Sequence, residues 1–182
     1  MNATLSTTIY SNKSLWFVVR TNSRAENKVC KRLEDVGFTV FLPTYTSVRI
    51  WSDRKKKLTL PLIPSTVFVQ SEVSELNNVY KVHGVVSVLK YLGRPAVVRD
   101  VEIENLRIVA SELNGAYVEQ TNAVFEPGES VQVIRGPLQG LYGTSVESEG
   151  KHRLIVMIEC LDLAYSVSVP RSCVRKIDHQ AA

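Results

Sequence analysis

The sequence predicts an α+β domain of about 100 residues, a short linker and a small β-barrel of about 55 residues. Three observations carry that expectation. The first hundred residues alternate apolar, β-branched runs with two stretches of helical period. Residues 115–126 show no strong periodicity. Beyond them only short alternating or apolar runs remain, separated by turns rich in Gly and Pro.

Ser14 to Thr21, SLWFVVRT, is apolar and β-branched, as a buried strand requires. A helix follows, with Ser23 placed to cap it. Val29, Leu33 and Val36 fall at i, i+4 and i+7 on one apolar face, and Gly37 stands where a helix C-cap belongs. Arg24, Lys28 and Lys31 repeat on another face. Phe38 to Pro43 is the next strand, which completes a βαβ-like order. Val48 to Lys57, VRIWSDRKKK, reads as a strand end, a turn and a basic, solvated hairpin tip at Arg54–Lys57. In Leu60 to Gln70 the prolines demote the first half to an edge or loop, leaving TVFVQ as the strand. Ser74 to Val82 is a short helix capped by Ser74 and broken by Gly84. Val85 to Tyr91 is a strand, and Gly93 to Pro95 a turn. Asp100 caps the second long helix, with Glu102 and Glu104 in its first turn. Ile103, Leu106, Val109, Ala110 and Leu113 form its apolar face, and Asn114-Gly115 stops it.

Five short strands are expected after the linker: Val131–Arg135, Leu141–Glu147, Arg153–Cys160, Ala164–Pro170 and Cys173–Ile177. Their β-branched content favours a barrel over any helical alternative. The expected boundaries are 14–114 for the first domain, 115–126 for the linker and 127–178 for the barrel.

The composition, 182 residues with 45% hydrophobic and 22% charged, is that of a globular protein. No run approaches the roughly 18–20 apolar residues of a membrane span. Met1 to Lys13 is rich in Ser, Thr and Asn and lacks the apolar core of a secretory signal. Cys30, Cys160 and Cys173 are too few and scattered for a disulfide framework or a zinc site, which points to the cytoplasm. The sequence has no GxGxxG, phosphate loop or GxSxG. His83, His152 and His179 lie far apart, so no metal site is expected. No catalytic constellation and no cofactor are expected either. The net charge of +4 hides an asymmetry: residues 1–99 hold 15 Lys/Arg against 6 Asp/Glu, residues 100–182 hold 7 against 12. A basic first half suits a polyanion or an acidic protein face.

Two segments point to one family. GESVQVIRGPLQGLYGTSVE, Gly128 to Glu147, resembles the KOW motif through Gly128, Val131, Val133, Gly136, Pro137, Gly140 and Gly143. Alternating valines pack a barrel interior, and the glycines permit positive φ or close backbone approach in the bend. WFVVRTNSRAENKVCKRL, FLP, a basic loop, PLIPSTVFV and GVVSVL, in that order, look like the NusG amino-terminal domain. The two in succession resemble the NusG family of transcription elongation factors, from Leu15 to Ile177. The resemblance implies an NGN α/β sandwich followed by an SH3-like KOW β-barrel. WSDRKKK and GRPAVVRDVEIENLR are similar to the operon-targeted paralogues of UpxY type, which act like RfaH against premature termination in long surface-polysaccharide operons.

The resemblance implies a non-enzymatic factor that binds RNA polymerase and DNA and has no membrane partner; a monomer is the default expectation. The family's contact with the clamp helices of the largest polymerase subunit maps to Trp16, Phe17, Ile63, Pro64, Thr66 and Phe68. Its contact with the gate loop maps to Glu75, Asn77 and Asn78. Here Ile63-Pro64-Ser65-Thr66 stands where the family has Phe-Pro-Gly-Tyr, so two aromatic anchors are absent. RfaH-like members read non-template DNA with a basic face, which maps to Asn22, Lys28 and Arg32, with Arg24, Lys31, Lys81 and His83 beside them. The barrel would recruit Rho or a small-subunit ribosomal protein, with Ile134 to Gly140 as the contact. The alternative is a KOW-containing module that binds RNA or the ribosome without polymerase.

Overall fold

A computed structural model describes residues 13–50, 55–112, 118–121, 128–148, 151–158 and 161–177. The chain divides into two compact units, one formed by residues 1–44 and 61–99, the other by 45–60 and 100–182.

The first unit is an antiparallel sheet in the order β2–β5–β1–β6, with β9 also paired to β1. Its central strand is β1 (Leu15–Thr21), flanked by β5 (Thr66–Ser71), while β2 (Thr39–Phe41) takes the far side of β5. On the other flank β6 (Val85–Val88) pairs with the end of β1, and β9 (Val97–Val98) with its start. Phe17 stands opposite Val69, and Val18 opposite Phe68. Alternation therefore sends Phe17, Val19, Val67 and Val69 to one face. There they form a core with Val29 and Leu33 of helix α1 (Glu26–Asp35) and with Leu76 and Val79 of α2 (Leu76–Tyr80).

Several sequence expectations shift here. Ala25, not Ser23, occupies the α1 N-cap, and no side chain caps it. Arg24 precedes the helix with φ 60°, so it does not continue the Lys28 and Lys31 row. Val36 is 60% exposed rather than core, because the helix ends at Asp35 and Gly37 turns away with φ 100°. Ser74 does not cap α2: a 3-10 turn at Val73–Glu75 precedes it, and the Ser74 hydroxyl donates to Glu72 at 3.2 Å. The expected strand Val85–Tyr91 divides. After Val88 the chain leaves the sheet as a separate hairpin, β7 (Lys90–Tyr91) and β8 (Arg94–Pro95).

The second unit is a six-stranded antiparallel sheet in the order β10–β14–β13–β12–β11–β15. It comprises β10 (Val118–Thr121), β11 (Ser130–Val133), β12 (Tyr142–Ser148), β13 (Lys151–Ile158), β14 (Leu163–Ser168) and β15 (Val174–Lys176). β10 lies inside the expected linker, where it pairs with β14. Val131 and Val133 are buried as the KOW pattern requires, and Gly136 and Gly140 have φ near 93°. Of the rest of the motif, Gly128 and Pro137 are exposed and Gly143 is half-buried. The pair β3 (Thr44–Ile50) and β4 (Lys55–Pro61) begins earlier than the expected Val48. Trp51 to Arg54 of the basic segment lie outside the described residues.

In the division into compact units, helix α3 (Asp100–Glu112) groups with the second. The reason is local. The Asn105 amide donates to the Tyr142 carbonyl and accepts from the Tyr142 N–H, both at 2.9 Å. It thereby satisfies backbone groups that precede the β12–β13 pairing, which starts at Thr144. Among the described residues no helix is long and apolar enough to cross a membrane.

Tyr165 of β14 is almost fully buried, and its hydroxyl has no hydrogen-bond partner among the described residues. Burial pushes its phenol up to about 12 from 10. Folding thus favours the protonated phenol. Its contribution is complete below about pH 10 and is lost as the pH rises to about 12, by roughly 1.4 kcal/mol per unit. Urea midpoints between pH 9 and 12 should fall more steeply for wild type than for Tyr165→Phe. At neutral pH Tyr165→Phe should be neutral or stabilising, since it removes an unpaired buried hydroxyl.

Candidate functional site

The site lies in the first unit, where the ends of α1 and α2 meet. Arg32, Asp35 and Val36 from α1 face Asn78, Lys81, Val82 and His83 from α2 and its exit across an open cleft of about 430 Å³. Gly84 makes this approach possible. A Cβ there would stand 2.7 Å from Val29 Cγ2, and its φ of 99° is one that only glycine adopts freely. The Asn22 N–H donates to the Gly84 carbonyl at 3.0 Å, which ties the loop before α1 to the same point. The Arg32 guanidinium donates to the His83 carbonyl at 2.7 Å and so locks the cleft's two walls together. Lys81 donates to the Asn78 side chain at 3.0 Å.

The cleft unites three residues expected to contact DNA, Arg32, Lys81 and His83, with Asn78, expected at the gate loop. Asn22, Arg24, Lys28 and Lys31 are exposed but do not line it. Asp35 and Val36 line it and were missed. A lone acid at a helix end reads as solvated, and Val36 reads as core. The signal that would have found the cleft is Gly84, a glycine between two apolar runs.

The expected polymerase residues divide by burial. Pro64, Glu75, Asn77 and Asn78 are exposed; Trp16, Phe17, Ile63, Thr66 and Phe68 are buried. Phe17 belongs to the core beneath the helices. Trp16, Thr66 and Phe68 lie on the sheet face turned away from α1 and α2, where the Phe68 ring meets Phe41 at 6.0 Å. The segment Ile63–Thr66 is held from three sides. Ser65, at the family's glycine position, has φ 54°. Its N–H donates to the buried Glu26 carboxylate at 2.7 Å, and its carbonyl accepts from the Thr21 N–H at 3.0 Å. Arg20 donates to the Thr66 hydroxyl at 2.9 Å. Cys30, on α1, is held protonated. Burial, then the neighbouring Glu34 carboxylate, pushes its thiol up to about 11. Among the described residues no cluster of His, Cys, Asp and Glu is placed to hold a metal.

The family model described as "Transcription termination factor nusG" matches residues 14–107, just over half of the chain. The Escherichia coli K12 protein "Transcription termination/antitermination protein NusG" is 28% identical over 178 residues, covering 90% of this chain and 97% of that one. Its counterpart from Buchnera aphidicola subsp. Baizongia pistaciae is 25% identical over 180 residues, covering 91% and 98%. The solved structure "Domain interaction in Thermotoga maritima NusG" aligns with a TM-score of 0.49 at 24% identity, covering 92% of this chain and 99% of that one. The family match runs from β1 into α3, through the whole segment that builds the sheet and the cleft, and the chain belongs to the NusG family.

Proposed function

We propose that the protein is a transcription antitermination and processivity factor. It binds RNA polymerase across its cleft, touches the non-template DNA strand, and suppresses pausing and termination in long operons of the surface-polysaccharide kind. The observation that carries this is the convergence of Arg32, Lys81 and His83 on one open cleft in a NusG-family domain. Arg32 and Lys81 outnumber the one acid of the lining, Asp35, and cations so placed hold backbone phosphates and position a strand. The exposed Pro64, Glu75, Asn77 and Asn78 suit the polymerase contacts. Contact with both jaws of the polymerase favours its closed, processive state by differential binding, not by catalysis. The second unit offers Ile134 to Gly140 to Rho or to a ribosomal protein.

The test is read-through of a terminator by core polymerase with wild type and with Lys81→Ala. Lys81 is exposed and bonds only locally, to the Asn78 side chain three residues before it, whereas Arg32 ties α1 to His83. Lys81→Ala should leave co-purification with polymerase intact, cut read-through severalfold and lower the salt slope of DNA binding by about one. Full read-through with Lys81→Ala/Arg32→Ala, with the fold intact, would sink the cleft assignment. A wild type that binds RNA but not polymerase would replace this reading with the RNA-module one.

A further inference from the structure

We propose that the hairpin Lys90–Pro95 is a second nucleic-acid contact. In it Tyr91 stacks on a base of a single strand, and Arg94, on the same face, takes a flanking phosphate. This rests on the nucleic-acid reading of the first unit. The hairpin's two-residue turn is Leu92-Gly93, with φ of 49° and 78°. Glycine or asparagine is the ordinary occupant of the first position, because a branched side chain is strained there. Here it is leucine, and it is 86% exposed. Backbone strain and a wholly solvated leucine are both unfavourable in the free protein, and such coincidences mark surfaces made for contact.

Tyr91, beside it, is 73% exposed and stands directly opposite Arg94 in the register. Directly opposed residues project from the same face of a hairpin, so the ring and the guanidinium share that face. A flat ring with a cation beside it is what a base and its phosphate require. Charge selects the partner. From Leu76 to Arg99 the chain has no Asp or Glu, yet it carries Lys81, Lys90, Arg94 and Arg99. Lys90 and Arg94 are exposed. An acid-free stretch of this length favours a polyanion over an ordinary protein face. The hairpin is joined to the cleft through β6, a largely extended path of about 20 Å from His83 to Lys90. One strand laid along it would meet both.

The experiment is fluorescence anisotropy of a labelled oligothymidylate of about 20 nucleotides with the full chain. Tyr91→Ala should weaken binding about tenfold, and Tyr91→Phe should restore it. Leu92→Asn, which suits the turn, should keep the melting midpoint and weaken binding about threefold. Arg94→Ala should lower the salt slope by about one. On an abasic strand of the same length, Tyr91→Ala should match wild type. Wild-type affinity in a folded Tyr91→Ala variant would overturn the proposal while leaving the cleft reading in place if Lys81→Ala still weakens binding. Loss of polymerase rather than DNA binding in Tyr91→Ala would overturn it in favour of a protein socket. A wild type that does not bind the strand would remove both nucleic-acid sites.

Discussion

Phe17→Ala is expected to destabilise the first unit by about 3–5 kcal/mol, the range for truncating a fully buried aromatic. Phe17 has no exposed surface and stands between Val69 on one neighbouring strand and Val97 on the other. Its side chain is part of the core that joins the sheet to α1 and α2. Truncation leaves a cavity that two flanking strands and two helices cannot close, since each is held by its own backbone pairing. A domain's whole stability is about 5–15 kcal/mol, so the variant should be largely unfolded at modest urea. Phe17→Leu, which keeps most of the volume, should cost about 1.5 kcal/mol or less. Urea unfolding followed by circular dichroism checks both. An unchanged midpoint for Phe17→Ala would mean that the side chain is not in the core. The consequence for function is direct: loss of polymerase binding in Phe17→Ala reports unfolding, not a lost contact. Trp16 and Phe68, on the opposite face, are buried as well, so any interface test belongs on the exposed Pro64, Glu75, Asn77 and Asn78, with the melting midpoint measured alongside.

That distinction was out of reach in the sequence, and the reason is physical. Alternation shows that Trp16 and Phe17 point to opposite sides, but the run WFVVRT is apolar on both. Which side the helices take depends on where α1 and α2 dock. The Val29/Leu33 stripe was legible because period and burial coincide there. Val36 continued the same stripe in sequence and failed, because one residue decides where a helix ends. The strand Val118–Thr121 was illegible: VEQT carries no apolar alternation, and only its pairing with β14 makes it a strand. Helix α3 read correctly as a helix, but its allegiance to the second unit rests on Asn105, an asparagine on a helix whose apolar face gave no hint of a backbone partner. Each cation of the cleft was visible alone. Arg32 and His83 are 51 residues apart, and no local pattern records their meeting.

Gly143→Ala should destabilise the second unit by about 3 kcal/mol, at the upper end for overpacking, while Gly140→Ala should cost only about 1 kcal/mol. Both glycines belong to the KOW pattern, and they serve different physics. Gly140 has φ 94°, and a Cβ there would meet only the Ile108 side chain, at 3.5 Å. Alanine at that position carries backbone strain but no collision. Gly143 has no positive φ. A Cβ on it would stand 2.5 Å from the Ile155 carbonyl oxygen and 3.0 Å from Leu154 Cγ. The first of these is backbone on the neighbouring strand β13, which cannot rotate aside. Relief requires β12 and β13 to part where their pairing begins, at Thr144 and Ile155. Leu154 and Ile155 lie buried on opposite faces of β13, so parting the strands disturbs the packing on both. Denaturant unfolding of the two variants checks the ranking. Equal losses would mean that β13 yields, and that close approach is not what reserves this position for glycine. The ranking also predicts function: Gly143→Ala should abolish binding of any second-unit partner through unfolding, whereas Gly140→Ala, within the proposed Ile134–Gly140 contact, should retain the fold and report on the contact itself.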